Sequence, residues 1–381
     1  MKKILVFTHY YVPGYKAGGP IRSIANMVAR LSGHFNFFIV TSDRDSFDEV
    51  PYPNIKADCW VKQNNAHVMY TSAARRTIAD WVKILRQEDW DIIYLNSFFD
   101  MKFSFQPLVV SRWINLKRRK IVIAPRGEFS EGALNLKSHK KKIFLSFVKL
   151  LGIYRDVTWQ ATTTYEENDI INTINPPKDK VVTAPNISWV PGNVSGSEPR
   201  FLGTLKIVTV SRISPIKNLD FSLQVLKAVS CNVEFNIYGP IGDKIYWSEC
   251  EKMIKLMPQN VKVNYRGTTE NSEISSVLQK NHLFFLPTKG ENYGHAIAEA
   301  FMAGIPVLIS DNTPWRNLAE SDVGWDLSLN DFGEFVKRIE LCFELLQSDR
   351  YFERRQILSW IEKKLENERV IKANIDLFKI N

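Results

Sequence analysis

Cysteine is scarce in this chain of 381 residues: four, at positions 59, 231, 250 and 342, with no CxxC pair. That spacing excludes a disulfide scaffold and a thiolate zinc site of the usual kind, and a reducing compartment is the default expectation. Long apolar runs are missing too, and no stretch approaches the ~20 residues that span a bilayer. At the start only residues 4–7 (ILVF) form an apolar run. A secretory leader needs about 7–15 apolar residues, so the opening reads instead as a buried first strand. Short-period repeats, low-complexity tracts and a GxGxxG dinucleotide fingerprint are also missing. Acidic side chains nearly vanish from one segment. Residues 101–150 hold 12 basic and 2 acidic residues, a surplus of ten in a chain whose net charge is +9.

What remains is an ordinary globular composition, 45% hydrophobic and 24% charged. The length suits two domains of about 100–200 residues each. Both halves follow one plan. KKILVF, FNFFIVTS, HVMYTS, DIIYLN and KIVIAPRG are short apolar strands, and IRSIANMVARL between the first two repeats apolar residues at helical spacing. The second half restarts with LKIVTVSRI and continues through DFSLQVLKAV, EFNIYG, VKVNYRG, SEISSVLQK, HLFFLPT, HAIAEAFMAG and PVLIS. Strands alternating with helices imply parallel pairing, so the expected fold class is α/β, two Rossmann-like doubly wound domains facing a cleft. Residues 189–200 (WVPGNVSGSEPR) have a linker composition. The expected domains are 1–190 and 191–365, with a C-terminal helix at 366–381 returning to the first.

The basic surplus falls in two clusters, residues 117–120 and 137–142, the second running into IFLSFVKLLGI. A basic block joined to an apolar helix-length stretch suits an anionic membrane surface. A solvated helix face is the plain alternative. Nothing resembles an aromatic-interleaved platform or a helix-turn-helix, so nucleic acid is not expected as a partner.

Three constellations bear on chemistry. In GENYGHAIAEAFMAG, Glu291 lies in a loop after a strand and Glu299 about one turn into the next helix. A glycine-flanked loop and a helix N-terminus offer backbone N–H groups to phosphate, and carboxylates accept from vicinal hydroxyls. In SRISPIKNLD, Arg212 and Lys217 follow the strand at the ligand edge of the sheet, where fixed cations stabilise a diphosphate leaving group. In VPGYKAGGPIRS, Gly18 and Gly19 precede a helix, either admitting a ligand close to the backbone or forming a tight turn. A fourth string, Asp43-Arg44-Asp45, has the DxD form that binds metal in another fold, but it lies in the other domain from the two cations and reads as a loop feature.

Taken together, in this order and these domain positions, the GGP loop, Arg212-x4-Lys217 and Glu291-x7-Glu299 resemble glycosyltransferase family 4, retaining enzymes of the GT-B fold. The segment from Glu291 to Trp315 is similar to the donor site of bacterial polysaccharide-assembly members. The resemblance implies that Arg212 and Lys217 grip the donor diphosphate, that Glu299 binds the ribose, and that Glu291 faces the donor sugar. It also implies that Gly18 and Gly19 approach the phosphates and that Asn292, Tyr293, Gly294 and His295 touch donor sugar or phosphate. A nucleotide diphosphate sugar would be a substrate; no cofactor and no metal are expected. Many relatives have a histidine after the strand matching DIIYLN, where this chain has Asn96, which orients a hydroxyl but is no base near neutral pH. Arg126 and Glu128 in APRGEF either line the acceptor side or pair with each other. His9 reads as structural. The implied function is transfer of a sugar to a glycan or lipid-linked acceptor in cell-surface polysaccharide or lipopolysaccharide synthesis, on the cytoplasmic membrane face. A sugar-nucleotide epimerase and a silent nucleotide-sugar binder are the alternatives.

Overall fold

The computed structural model describes residues 1–114, 119–135, 138–188, 203–348, 350–365 and 368–379. The chain divides into two units, Met1–Ile187 with Glu368–Asn381, and Ser188–Asn367.

In the first unit the strands are β1 (Lys2–Phe7), β2 (Phe35–Ser42), β3 (Trp60–Gln63), β4 (Ala66–Thr71), β5 (Ile92–Leu95), β6 (Lys120–Ile123), β7 (Thr158–Ala161) and β8 (Val181–Thr183). They form one sheet in the order β3-β4-β2-β1-β5-β6-β7-β8. Pairing is parallel except at the β3 edge, where β3 and β4 form an antiparallel hairpin. Alternation explains why the central strands are apolar throughout. Leu5, Phe7, Ile93 and Leu95 enter a core with Trp81 and Trp90 on one face. Ile4, Val6, Ile92 and Tyr94 enter a second core with Ile24 and Val28 on the other. A parallel sheet covered on both faces needs apolar residues at both phases of the two-residue period. The helix Gly19–Leu31 buries Ile21, Ile24, Met27, Val28 and Leu31, the apolar positions of its helical spacing. The C-terminal helix Glu368–Leu377 packs in this unit. Phe378 contacts Phe35 and Tyr94, and Asn374 donates to the Pro185 carbonyl at 2.8 Å.

The second unit has β9 (Leu205–Val210), β10 (Val233–Tyr238), β11 (Val261–Tyr265), β12 (Leu283–Leu286), β13 (Val307–Ser310) and β14 (Gly324–Leu327), ordered β11-β10-β9-β12-β13-β14, all parallel. It too has a core on each face. Each sheet therefore reverses its winding once, between β1 and β5 in the first unit and between β9 and β12 in the second. At such a reversal the loops diverge and leave a crevice beyond the carboxyl ends of the strands, the preferred ligand position of open α/β sheets.

The expectation for the basic clusters needs correction at the first one. Arg119 is turned inward, donating to the Leu85 carbonyl at 3.0 Å, and Lys120 donates to the Lys379 carbonyl at 2.8 Å. Burial holds both cations below their ordinary range. Lys117, Arg118 and Lys137, like residues 189–200 of the expected linker, lie outside the described residues. The helix Ser138–Leu150 does present a surface face. His139, Lys140, Lys142 and Lys149 are exposed, and so are Ile143, Phe147, Leu150 and Leu151.

Candidate functional site

The β9 and β12 strand ends carry the residues expected to hold a donor. Beyond β9 the chain passes Arg212 and turns through the short helix Pro215–Lys217. Arg212 is exposed, and its methylene stem lies against Gly242. Asn218 is buried in the left-handed region and donates to the Pro287 carbonyl at 2.9 Å. The Lys289 amide and the Thr288 hydroxyl both donate to the Ile216 carbonyl, at 2.8 and 2.9 Å. These bonds stitch the loop after β9 to the loop after β12. The result is a half-buried ion pair between the Lys217 ammonium and the Glu291 carboxylate, residues 74 apart in sequence.

The β12 loop ends at Gly294, which caps the helix His295–Met302. Gly294 has φ 76°, and a Cβ there would lie 2.9 Å from Ile297 Cδ1 and 3.1 Å from Trp315 Nε1, so only glycine fits without strain. Its missing side chain also leaves the leading N–H groups of the helix uncapped by a residue of their own, and the helix dipole adds partial positive charge there. The Trp315 indole donates to the Tyr293 carbonyl at 2.6 Å and fixes the loop. The Tyr293 hydroxyl pairs with Ser188, and burial pushes it up. The His295 ring sits 4.7 Å from the Tyr293 ring at the helix start, Asn292 is half-buried in the loop, and Glu299 is half-buried on the second turn. This edge of the sheet thus offers cations, a carboxylate acceptor and a helix N-terminus together. A diphosphate attached to a polyhydroxylated group has that combination of needs.

The β1 and β5 strand ends of the first unit are built differently. Gly18 has φ 70° and caps its helix, with open space where a Cβ would be, so it serves the turn; Gly19 is the first helical residue. The loop before them is held by Asp45, whose carboxylate accepts from the Tyr15, Lys16 and Ser46 amides at 2.7, 2.9 and 2.7 Å. Asp43 is taken up by Arg44 and Arg76, each at 2.9 Å. Both carboxylates of the DxD string are therefore committed to loop structure.

Asn96 is buried and engaged at both ends. Its amide donates to the Thr8 hydroxyl at 3.1 Å, and its carbonyl accepts from Arg126 at 2.7 Å. Arg126 also donates to the Tyr94 hydroxyl at 2.6 Å and to Asn186, and the Tyr94 hydroxyl donates to the Gln160 side-chain carbonyl at 2.6 Å. Arg126 and Glu128 do not pair. Glu128 accepts from the Ser97 hydroxyl and the Phe98 and Phe99 amides, at 2.7, 2.6 and 3.1 Å, and burial raises it. Arg126 and Glu128 thus brace the strand ends from within. One pair here was not foreseen from sequence. His9, after β1, hydrogen-bonds through Nδ1 to Asp100, after β5, at 2.8 Å. Partners 91 residues apart leave no local signal.

Residues 195–356, within the second unit, match the profile of the family Glycosyl transferases group 1. A Klebsiella pneumoniae protein described as an uncharacterized 41.2 kDa protein in cps region is 24% identical over 238 residues, 60% of this chain. The match takes in 63% of that relative's length, short of two thirds. Among solved structures, Anabaena Alr3699/HepE in complex with UDP and glucose superposes with a TM-score of 0.71 at 15% identity, over 99% of this chain and 98% of that one. A mutant of S. aureus TarM, in complex with Fondaparinux, alpha-GlcNAc-glycerol and UDP, gives 0.68 at 14% identity over 100% of both chains. At such identities the likeness establishes the fold, α/β with Rossmann-like parallel-sheet domains as in GT-B glycosyltransferases.

Proposed function

We propose that this chain is a glycosyltransferase that moves a hexose from a nucleotide diphosphate sugar to a hydroxyl of a glycan or lipid-linked glycan, in the assembly of cell-surface polysaccharide or lipopolysaccharide. The observation that carries this reading is the Lys217–Glu291 pair beside the glycine-capped helix, in the segment that matches Glycosyl transferases group 1. The pair places a phosphate-binding cation and a hydroxyl acceptor side by side. Arg212 and Lys217 hold the diphosphate and stabilise the charge that grows on it as the sugar leaves. The first-turn amides beyond Gly294, with Asn292, Tyr293 and His295, share that load, while Glu291 and Glu299 receive sugar and ribose hydroxyls. The relatives' contexts agree with this reading: a cps region in one case, UDP bound in two others.

The finer features of the reading come from the resemblance to family 4. They are retention of anomeric configuration by same-face attack, a donor phosphate that takes the proton of the acceptor hydroxyl, and cations in place of a metal. Activity in EDTA equal to that in magnesium checks the last. The cytoplasmic membrane face is the proposed location. Among the described residues no helix is long and apolar enough to cross a membrane. The helix Ser138–Leu150 instead lies on anionic lipid, with Ile143, Phe147 and Leu150 in the interface and Lys140, Lys142 and Lys149 among headgroups. Co-sedimentation with anionic vesicles but not neutral ones is the expected result.

The deciding experiment is calorimetry with UDP, GDP and ADP. One of the three binds, and Arg212→Ala, Lys217→Ala and Glu299→Ala each weaken it by more than about tenfold, or ~1.4 kcal/mol. Unchanged binding in all three variants overturns the site.

A further inference from the structure

The helix Arg354–Leu365 starts where the segment matching Glycosyl transferases group 1 is ending, at residue 356, so most of it lies beyond that match. It buries Ile357 and Ile361 in the core that holds Ile297 and Phe301 of the helix His295–Met302. It also holds both ends of that helix. At the carboxyl end Arg354 donates to the Ala303 carbonyl at 2.8 Å, and its stem fills the space that a side chain on Gly304 would need. A cation there meets the negative end of the helix dipole. At the amino end the contact runs through Trp315. Trp360 and Trp315 both lie against Phe301, with ring centroids 4.9 and 5.4 Å from it. The Lys364 ammonium sits 4.6 Å from the Trp360 ring and 5.5 Å from the Trp315 ring. Arg354 to Lys364 spans about 15 Å of helix and His295 to Ala303 about 12 Å, so one helix is long enough to reach both ends of the other.

Trp315 is buried in the loop after β13, and that loop is itself fixed. The Trp315 amide donates to the Thr313 hydroxyl at 3.2 Å, and Asp326 accepts from the Asn317 and Leu318 amides at 3.2 and 2.9 Å. The Glu291 amide donates to the Asn312 carbonyl at 3.0 Å, so this loop backs the one after β12. The indole N–H then meets the Tyr293 carbonyl at 2.6 Å. In a trans peptide the carbonyl and the following N–H point opposite ways. With the Tyr293 carbonyl turned onto a buried indole, the Gly294 N–H faces away from it, and among the described residues no hydrogen bond engages that amide. One side-chain donor therefore sets the angle of the peptide that leads into the helix His295–Met302.

We infer that Trp315 is a positioning residue for the donor diphosphate, and that Trp360 and Lys364, from the helix Arg354–Leu365, keep it in place. The inference rests on the transferase reading. Trp315 acts through the Tyr293–Gly294 peptide, whose direction decides whether the amides that follow face the phosphates. Without the indole donor that peptide is free to rotate, and the hold on the terminal phosphate loosens while the rest of the nucleotide site stays as it is.

The test is calorimetry on the full chain with UDP and UMP, GDP and GMP, and ADP and AMP. The margin by which a diphosphate outbinds its monophosphate reads the hold on the terminal phosphate. Trp315→Phe keeps an aromatic ring and removes the donor. It narrows that margin about tenfold, while affinity for the monophosphate stays within about twofold. Trp360→Leu, one ring further from the loop, narrows it about threefold. A purely structural tryptophan would instead lower the melting temperature and weaken both nucleotides alike. Should Trp315→Phe melt below the assay temperature, Trp360→Leu carries the same comparison. A wild type that binds a diphosphate and loses it in Lys217→Ala, with the margin unchanged in the folded tryptophan variant or both nucleotides weakened equally, overturns the positioning role alone. A wild type that binds none of the three diphosphates overturns the transferase reading and the positioning role with it.

Discussion

The two sheets reverse their winding in the same way, yet the polar groups at the two reversal points are held differently. At β9 and β12 Arg212 is exposed, and Lys217 has Glu291 as its half-buried partner. At β1 and β5 the polar groups are locked in depth. Arg126 spans Asn96, Asn186 and Tyr94, Glu128 gathers three donors, and His9 is bonded to Asp100. At the β9 and β12 ends the charges pair with each other across two loops, whereas at the β1 and β5 ends they hold backbone and buried side-chain groups of their own sheet. The topology is shared, and the difference lies in which groups the polar side chains hold.

Three substitutions sharpen this contrast. The largest effect is expected for Arg126→Ala, which orphans three buried acceptors at once. Denaturant unfolding of the first unit should lose about 3 kcal/mol, while nucleotide binding by calorimetry stays unchanged. Nucleotide affinity falling with stability would mean that the two strand ends are not separable. Next comes Gly294→Ala. Forcing a Cβ into the left-handed region beside Ile297 and Trp315 should cost about 1–2 kcal/mol in the second unit and weaken nucleotide binding. Retained affinity would show that the helix start plays no part in the grip.

The smallest effect concerns acid. Asp100 is held below its ordinary value in the folded chain, so its contribution is present above the unfolded-state value near ~4 and is lost as the pH falls through the folded one. Thermal unfolding scanned from about pH 6 down to about pH 2 should fall more steeply for the wild type than for Asp100→Asn. Parallel curves would show that Asp100 is not the better-held carboxylate of its strand end.

Much of the fold is readable in the residues. The apolar runs of β1, β2, β5, β9 and β12 name their strands, and the spacing of Ile21, Ile24, Met27, Val28 and Leu31 names the buried stripe of the first helix. The short strands β3, β7, β8 and β14 are harder to see. They run for only three or four residues, and β3 is specified by its hairpin with β4 rather than by an apolar run of its own. In the candidate site, the strand-loop-helix positions of Lys217, Glu291 and Gly294 follow from the sequence. Their joining does not, because it depends on β9 and β12 being neighbours in the sheet while 72 residues separate the last residue of one from the first of the other along the chain. The basic surplus shows the same limit: Arg119 and Lys120 look like surface charge until the chain that accepts from them is in place.

The sequence by itself determined the alternation of strands and helices, the faces they bury and the glycine at the helix cap, because backbone sterics and apolar period act over a few residues. Only the tertiary structure decided that Lys217 meets Glu291, that Asn96 is spent on Arg126, and that His9 is held by Asp100. Those partners lie 30 to 91 residues apart, and a hydrogen bond forms only where sheet order brings its two ends within about 3 Å.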